Sequence, residues 1–286
     1  MCLAVNNLVA ARGGPGVGPA VAIVIVFTAT CAGCGRTEVP QPPATTSTPR
    51  ASASRAGPLP RDLQTVFRLI AERQCDVART LARSYVAKNG EDAWGYFAIG
   101  HAWHVQGNFR PAVPFLEQAL ERSPGMPAAH HALGDCYFQL GELARARSHY
   151  EALHGASPQE PDAPYGLGLI DLEEGDLAVA ETRFRSALSL YGAMQRTDPR
   201  AYASRTAGRA RCHARLADVY FATDDYEAAR EELIATTTIS PGTISALYTL
   251  SVVHRRLGED ALAEQALERY EAARAAIIAR RSASDG

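Results

Sequence analysis

Four side chains have the type and spacing for chemistry: His101 and His104, three residues apart, and His131 and Asp135, four apart. Each spacing puts both side chains on one face of a helix. Imidazole and carboxylate together suit zinc or copper. They serve equally as ordinary polar lining for a bound peptide. Both readings stand at this level, and neither a metal nor a cofactor is assigned.

Elsewhere the signatures of catalysis are missing. Gly13, Gly14, Gly16 and Gly18 are dense, but no Gly-Lys-Ser/Thr follows them to make a phosphate loop. Gly166 and Gly168 flank one leucine with no third glycine, inside a helical pattern. There is no Gly-x-Ser-x-Gly elbow and no His-Glu-x-x-His. The acidic pairs Glu173-Glu174, Asp224-Asp225 and Glu231-Glu232 read as solvated turns and helix surfaces. A net charge of −2 and a pI near 6.5 do not suit a nucleic-acid partner. Cys75, Cys136 and Cys212 fall within helical stretches, where free cysteine packs as a small hydrophobe. No enzyme is expected.

The elements that position these residues recur every 34 residues. Gly100, Gly134 and Gly168 are each followed seven residues later by Gly107, Gly141 and Gly175, and five further by Ala112, Ala146 and Ala180. After a short insertion come Ala217, Asp224 and Ala229, then Ser251, Gly258 and Ala263. A repeat of that length, built as a helix pair, makes a scaffold for binding.

The pattern resembles the tetratricopeptide repeat. Five units begin at Ala93, Pro127, Pro161, Ala210 and Ile244. The resemblance implies an all-α right-handed superhelix of about six helix pairs. Position 8 is small where helices A and B cross, and position 20 is alanine in all five units. Position 15 ends helix A, where the cap needs positive φ. It is glycine in four units and Asp224 in the other, a tolerable substitute there. Trp103, Tyr137 and Tyr220 at position 11, with Leu116, Tyr150, Phe184, Leu233 and Leu267 at position 24, fill the core. Pro124, Pro158 and Pro241 close their units, each after a serine.

A degenerate capping unit at 59–92 keeps Ala78 but carries Arg73 where the turn glycine belongs. Three repeats span 93–194 and two span 210–281. Between them lies an insertion, 195–209, either merely tolerated or a functional protrusion. Thr197-Asp198-Pro199 is a helix start, and one long helix is expected from Arg200 to Ala222. The last helix should run through Ile277 and Ile278 to Arg280 and Arg281. Beyond it, 282–286 is a tail too short to cap, so the end repeat offers a face for self-association.

By the same resemblance, positions 2, 5, 9 and 12 of the A helices line a concave groove. They place Trp94, Phe97, His101, His104, His131, Asp135, Phe138, Tyr165, Leu169, Phe221, Tyr248 and Arg255 there, with Leu172, Glu173 and Arg211 among them. The aromatic residues serve either as recognition anchors or as packing between neighbouring A helices. Co-chaperone members of the family clamp a C-terminal carboxylate with lysine, asparagine and arginine. Position 5 here reads Phe97, His131, Tyr165, Ala214 and Tyr248, so that clamp is absent.

The N-terminus reads as an address. Arg12, the apolar run from Val21 to Phe27, and Cys31-Ala-Gly-Cys34 follow the order of a bacterial secretion signal. The last residues resemble a lipoprotein cleavage box, with Cys31 where leucine is usual. That resemblance implies a signal peptide over 1–33 and lipidation of Cys34. An uncleaved anchor over Val17–Gly35 is the alternative. Residues 34–58, with five prolines among Ser, Thr and Ala, form a flexible, disordered tether. The expected molecule is a membrane-tethered scaffold or assembly factor at the bacterial cell envelope, facing an extracytoplasmic space and taking a peptide or helix in its groove. The alternative is an envelope metal- or glycan-binding protein using the same histidines and aromatics.

Overall fold

A computed structural model describes residues 57–90 and 92–284; of 280–284 only the helical backbone is described. The signal segment 1–33, Cys34 and the tether up to residue 56 lie outside the described residues.

Small residues set the spacing of the helices, and the sequence places them periodically. At position 8, a Cβ on Gly134 would stand 2.7 Å from the ring of Tyr150, the bulky residue at position 24 of the same unit. Only a bare backbone lets helix A approach helix B that closely. The position-20 alanines, from Ala78 to Ala263, are likewise buried. At position 15 the chain turns with positive φ, 76° at Gly141 and 58° at Asp224. Arg73 does the same in the capping unit, with φ 64°. Three B helices end on the serine that precedes a proline, at Ser123, Ser157 and Ser240.

The described residues form thirteen helices and no strand. The capping pair is α1 (Arg61–Ala71) and α2 (Cys75–Asn89). Three repeats follow: α3 (Ala93–Val105) with α4 (Phe109–Arg122), α5 (Pro127–Gln139) with α6 (Leu143–Ala156), and α7 (Asp162–Glu173) with α8 (Leu177–Thr197). Then come α9 (Pro199–Ser204), α10 (Thr206–Ala222) with α11 (Tyr226–Ile239), and α12 (Ile244–Arg256) with α13 (Asp260–Ser284). Each helix packs on its neighbours in sequence, save that α10 packs back on α8 rather than on the short α9, and α1, α3, α5, α7 and α10 also touch in succession as the inner wall. This is a right-handed tetratricopeptide solenoid.

The insertion differs from the single long helix expected over Arg200–Ala222. Its first residues prolong α8 to 21 residues, against 14 in α4, α6 and α11. The helix start at Asp198-Pro199 is real: the Asp198 side chain accepts from Ala201 N, with Pro199 in the first turn. The helix then breaks at Arg205, where φ −100° and ψ 26° leave the helical region. The Arg205 side chain instead reaches Glu160 at 2.8 Å and Asp162 at 2.9 Å, at the start of α7. Opposite it, Gly208 lets α10 approach Tyr191 so closely that a Cβ would stand 2.2 Å from the hydroxyl. The extra residues are thus folded back onto the stack.

Cys75, Cys136 and Cys212 are free and buried. Burial pushes the thiols of Cys136 and Cys212 up to about 12. They pack as hydrophobes. No helix among the described residues is long and apolar enough to cross a membrane.

Candidate binding groove

Helices α3, α5 and α7 bring His104, Asp135, Phe138, Tyr165, Leu169 and Leu172, from positions 5, 9 and 12, onto one concave surface. A groove of about 610 Å³ opens there. Its apolar floor is Val105, Phe109, Phe138, Leu169 and Leu172; Tyr165, Arg211 and Arg215 stand along it, with His104, Asp135, Gln139, Glu173 and Arg73 as further polar lining.

Asp135 anchors the polar part. Its Oδ1 accepts from the Tyr150 hydroxyl at 2.7 Å, and its Oδ2 lies 3.3 Å from His104 Nε2 and 3.7 Å from His131 Nε2. Burial alone would favour the neutral acid. His131, His104 and Tyr150 outweigh that and hold the carboxyl at about 2. Tyr150 is itself fixed by sterics: its ring lies between Gly134 and Gly166, whose added Cβ atoms would approach it to 2.7 and 2.3 Å. The carboxylate is therefore pre-positioned from within the repeat core.

His101 sits deeper than the groove surface. It stacks on Phe97, with ring centroids 5.3 Å apart, and on His104 at 5.8 Å. Burial, then the neighbouring His104 and His131, lower its pKa to about 4, so it is neutral at physiological pH. The Nδ1 atoms of His101 and His104 are buried without a hydrogen-bond partner. Among the described residues, no three His, Cys, Asp or Glu side chains are grouped to hold a metal ion. Two faces of Asp135 are already taken by Tyr150 and the imidazoles, which suits polar lining better than ligation.

The twelve sequence-predicted groove residues divide. His104, Asp135, Phe138, Tyr165 and Leu169 share the groove. Phe97, only 5% exposed, belongs to the core, stacked on Phe67 of α1 at 5.9 Å. Trp94 meets Phe67 edge-on and donates its indole N–H to Gly57 O at 2.8 Å. These two resolve to packing, because the capping pair lies across the first A helix. His131 opens onto a separate pocket with Pro127, Leu153 and Arg205. Phe221 packs edge-on against Tyr226 at 5.6 Å, and Tyr248 lies against Tyr270 at 5.5 Å. Neither of these two, nor the exposed Arg255, lines the groove.

The register also missed residues that do line it. Phe109 and Gln139 flank the turns between A and B helices, outside positions 2, 5, 9 and 12. Arg215 lies at position 6, where it pairs with Asp218 at 2.7 Å. Arg73 occupies the turn and donates through Nη1 to Val105 O at 2.7 Å, capping α3. Its arginine in place of a turn glycine was the available signal.

Comparison with known proteins bears on the fold. Family models described as tetratricopeptide repeats match residues 105–163 and 214–277. The chain is 28% identical over 138 residues to tetratricopeptide repeat protein 16 of Homo sapiens, a match covering 48% of this chain and 15% of that protein. It is 29% identical over 90 residues to the Protein CTR9 homolog of Arabidopsis thaliana, covering 30% and 8%. The chain thus matches only a small part of these relatives' length. Among solved structures, the APC/C hetero-tetramer Cut9-Hcn1 aligns with a TM-score of 0.64 at 17% identity, over 74% of this chain and 39% of that one. BtubC from P. vanneervenii gives 0.56 at 18% identity, over 74% and 92%. Pseudomonas aeruginosa pilF gives 0.54 at 18% identity, over 68% and 78%. At these identities the likeness is one of fold.

Proposed function

We infer that this chain, a tetratricopeptide-repeat protein, captures a peptide or helix of another protein in the groove between α3 and α10. Repeats of this family serve as protein–protein interaction scaffolds, and the observation that carries the finer reading is the groove's apolar floor. Phe138, Leu169 and Leu172 are only partly buried and line the open groove. Partly exposed apolar side chains gathered in a concavity are anchors in waiting. Asp135, locked by Tyr150, supplies a fixed acceptor beside them.

On this reading the repeats are held at a membrane by a lipid on Cys34, or by an uncleaved anchor, and face an extracytoplasmic space of a bacterial envelope. The motif Cys31-Ala-Gly-Cys34 supports it. Metabolic labelling with a radioactive fatty acid tests it: label lost on Cys34→Ala supports lipidation, and an unlabelled wild-type chain contradicts it. Self-association through the end repeat is a second element of the proposal. Leu262 of α13 and Ile234 of α11, each 46% exposed, open onto one pocket at that end.

The experiment for the groove is affinity capture of partners by the full chain and by a Phe138→Ala/Leu169→Ala variant with unchanged helicity. Phe97→Ala is unsuitable, because it would open a cavity in the core. A partner lost by the groove variant supports the reading. A partner set that does not change places the contact elsewhere.

A further inference from the structure

The groove carries a charge asymmetry that narrows its occupant. Tyr165 on α7 lies beneath the Arg211 guanidinium, 5.3 Å from ring centroid to Cζ. Arg215, one turn further along α10, lines the same stretch. Arg215 is partly neutralised by Asp218 at 2.7 Å. Among the described residues no carboxylate pairs with Arg211, which is exposed. Its guanidinium is within cation–π range of that ring and lines the groove, with no described carboxylate competing for its N–H donors.

Other charges in the groove do not cancel this cation. Asp135 is engaged by His104, His131 and Tyr150. Glu173 lies at the far end of α7 from Tyr165, eight residues or about 12 Å along the helix axis. Between the two ends runs the floor of Phe138, Leu169 and Leu172. The surface is therefore an apolar trough with a cationic post at the α10 end.

Resting on the groove reading above, we propose that the occupant is an amphipathic protein segment that pairs an acidic side chain with Arg211 and sets a large apolar side chain on the Phe138–Leu169–Leu172 floor. A guanidinium fork matches a carboxylate in two parallel hydrogen bonds, so Asp or Glu is selected over a neutral acceptor. On a helical segment the acidic and apolar residues would stand three or four positions apart, on one face. The carboxylate belongs to a side chain, so a free C-terminus is not required.

The test is selection of a random dodecapeptide display library on the purified full chain, followed by binding of enriched synthetic peptides by fluorescence anisotropy. The expected result is enrichment of Asp or Glu three or four positions from Leu, Phe or Met. Arg211→Glu should weaken those peptides by about tenfold, a rim charge reversed rather than deleted. Selection on that variant should favour Lys or Arg instead. Rising salt should weaken binding to the wild-type chain. Arg211→Gln, which keeps a polar side chain of moderate length, should give an intermediate loss. Peptides that need Phe138 and Leu169 but show no acidic preference and ignore Arg211→Glu would overturn this proposal and leave the groove reading intact. Peptides indifferent to Phe138→Ala and Leu169→Ala, or no enrichment at all, would overturn both.

Discussion

At the scale of single residues, the molecule is shaped by steric slots and by groups held away from their ordinary charge. The slot around Tyr150 is the sharpest. Gly166→Ala would set a methyl 2.3 Å from its ring, and overpacking of that kind costs about 1–3 kcal/mol. The gain in helix propensity, about 1 kcal/mol, does not offset a clash that also tilts the hydroxyl away from Asp135. Thermal melting should therefore show a loss of stability. Gly192→Ala in α8, where the nearest atom to an added Cβ is Arg196 Nη1 at 4.0 Å, should show a gain of about 1 kcal/mol. Equal effects of the two substitutions would contradict the packing argument. The histidines give a second test. His101 and His149 are both held to about 4, chiefly by burial. Because their folded pKa is depressed, the unfolded chain takes up protons first. Their contribution to stability is present above about 6.5 and is lost as pH falls toward 4. The urea midpoint should fall across that window, and His101→Phe should shrink the fall. Asp135 acts in a lower window, its contribution present above about 4 and lost as pH falls through about 2. A midpoint that is flat from pH 6.5 to 4.5 would count against neutral, buried imidazoles.

At the scale of elements, the turn positions and the insertion carry the argument. Asp224 adopts φ 58° and its Oδ1 accepts from the Tyr226 hydroxyl at 2.5 Å. Asp224→Val removes that acceptor and puts a β-branched side chain in the left-handed region, a loss of about 1–2 kcal/mol. Asp224→Gly should be tolerated, and chemical denaturation of the two variants separates them. The helix pairs were legible because glycine, alanine and proline recur at fixed offsets for backbone reasons: close crossing, positive φ and helix termination. The break at Arg205 was not. No proline or glycine stands there, and what ends α9 is the tertiary pull of Glu160 and Asp162 on the side chain. Arg205→Ala should loosen that fold-back by about 1 kcal/mol, as expected for two partly exposed ion pairs. The groove was legible only in part. His104, Asp135, Phe138, Tyr165, Leu169 and Leu172 share one surface, because a helix repeats its faces, whereas Phe97, His101 and His131 of the same register do not line it. Phe97 and Trp94 were indistinguishable from Phe138 in periodicity. Only the capping pair, whose Phe67 covers them, separates core from groove, and that contact joins residues 27 and 30 positions apart.

At the scale of the whole molecule, the solenoid is held by neighbour-to-neighbour contacts, so its stability is local. One apolar core runs through α3 to α7 and another from α8 to α13, while Tyr165, Leu169 and Leu172 of α7 pack toward the second. The groove therefore straddles the joint between two core blocks, where a ligand gains contacts from both. Hydrogen exchange should be slowest in α5 to α8 and fastest toward the end of α13, whose residues 271–279 are largely exposed. The central claim is that the concave groove is where this protein meets its partner. Site-specific photo-crosslinking in cells tests it most directly, with the crosslinker placed at Gln139 on the groove rim or at Ser186 on α8, which is outside it. A discrete protein adduct is expected from Gln139 and none from Ser186. An adduct from Ser186 with none from Gln139 would contradict that claim.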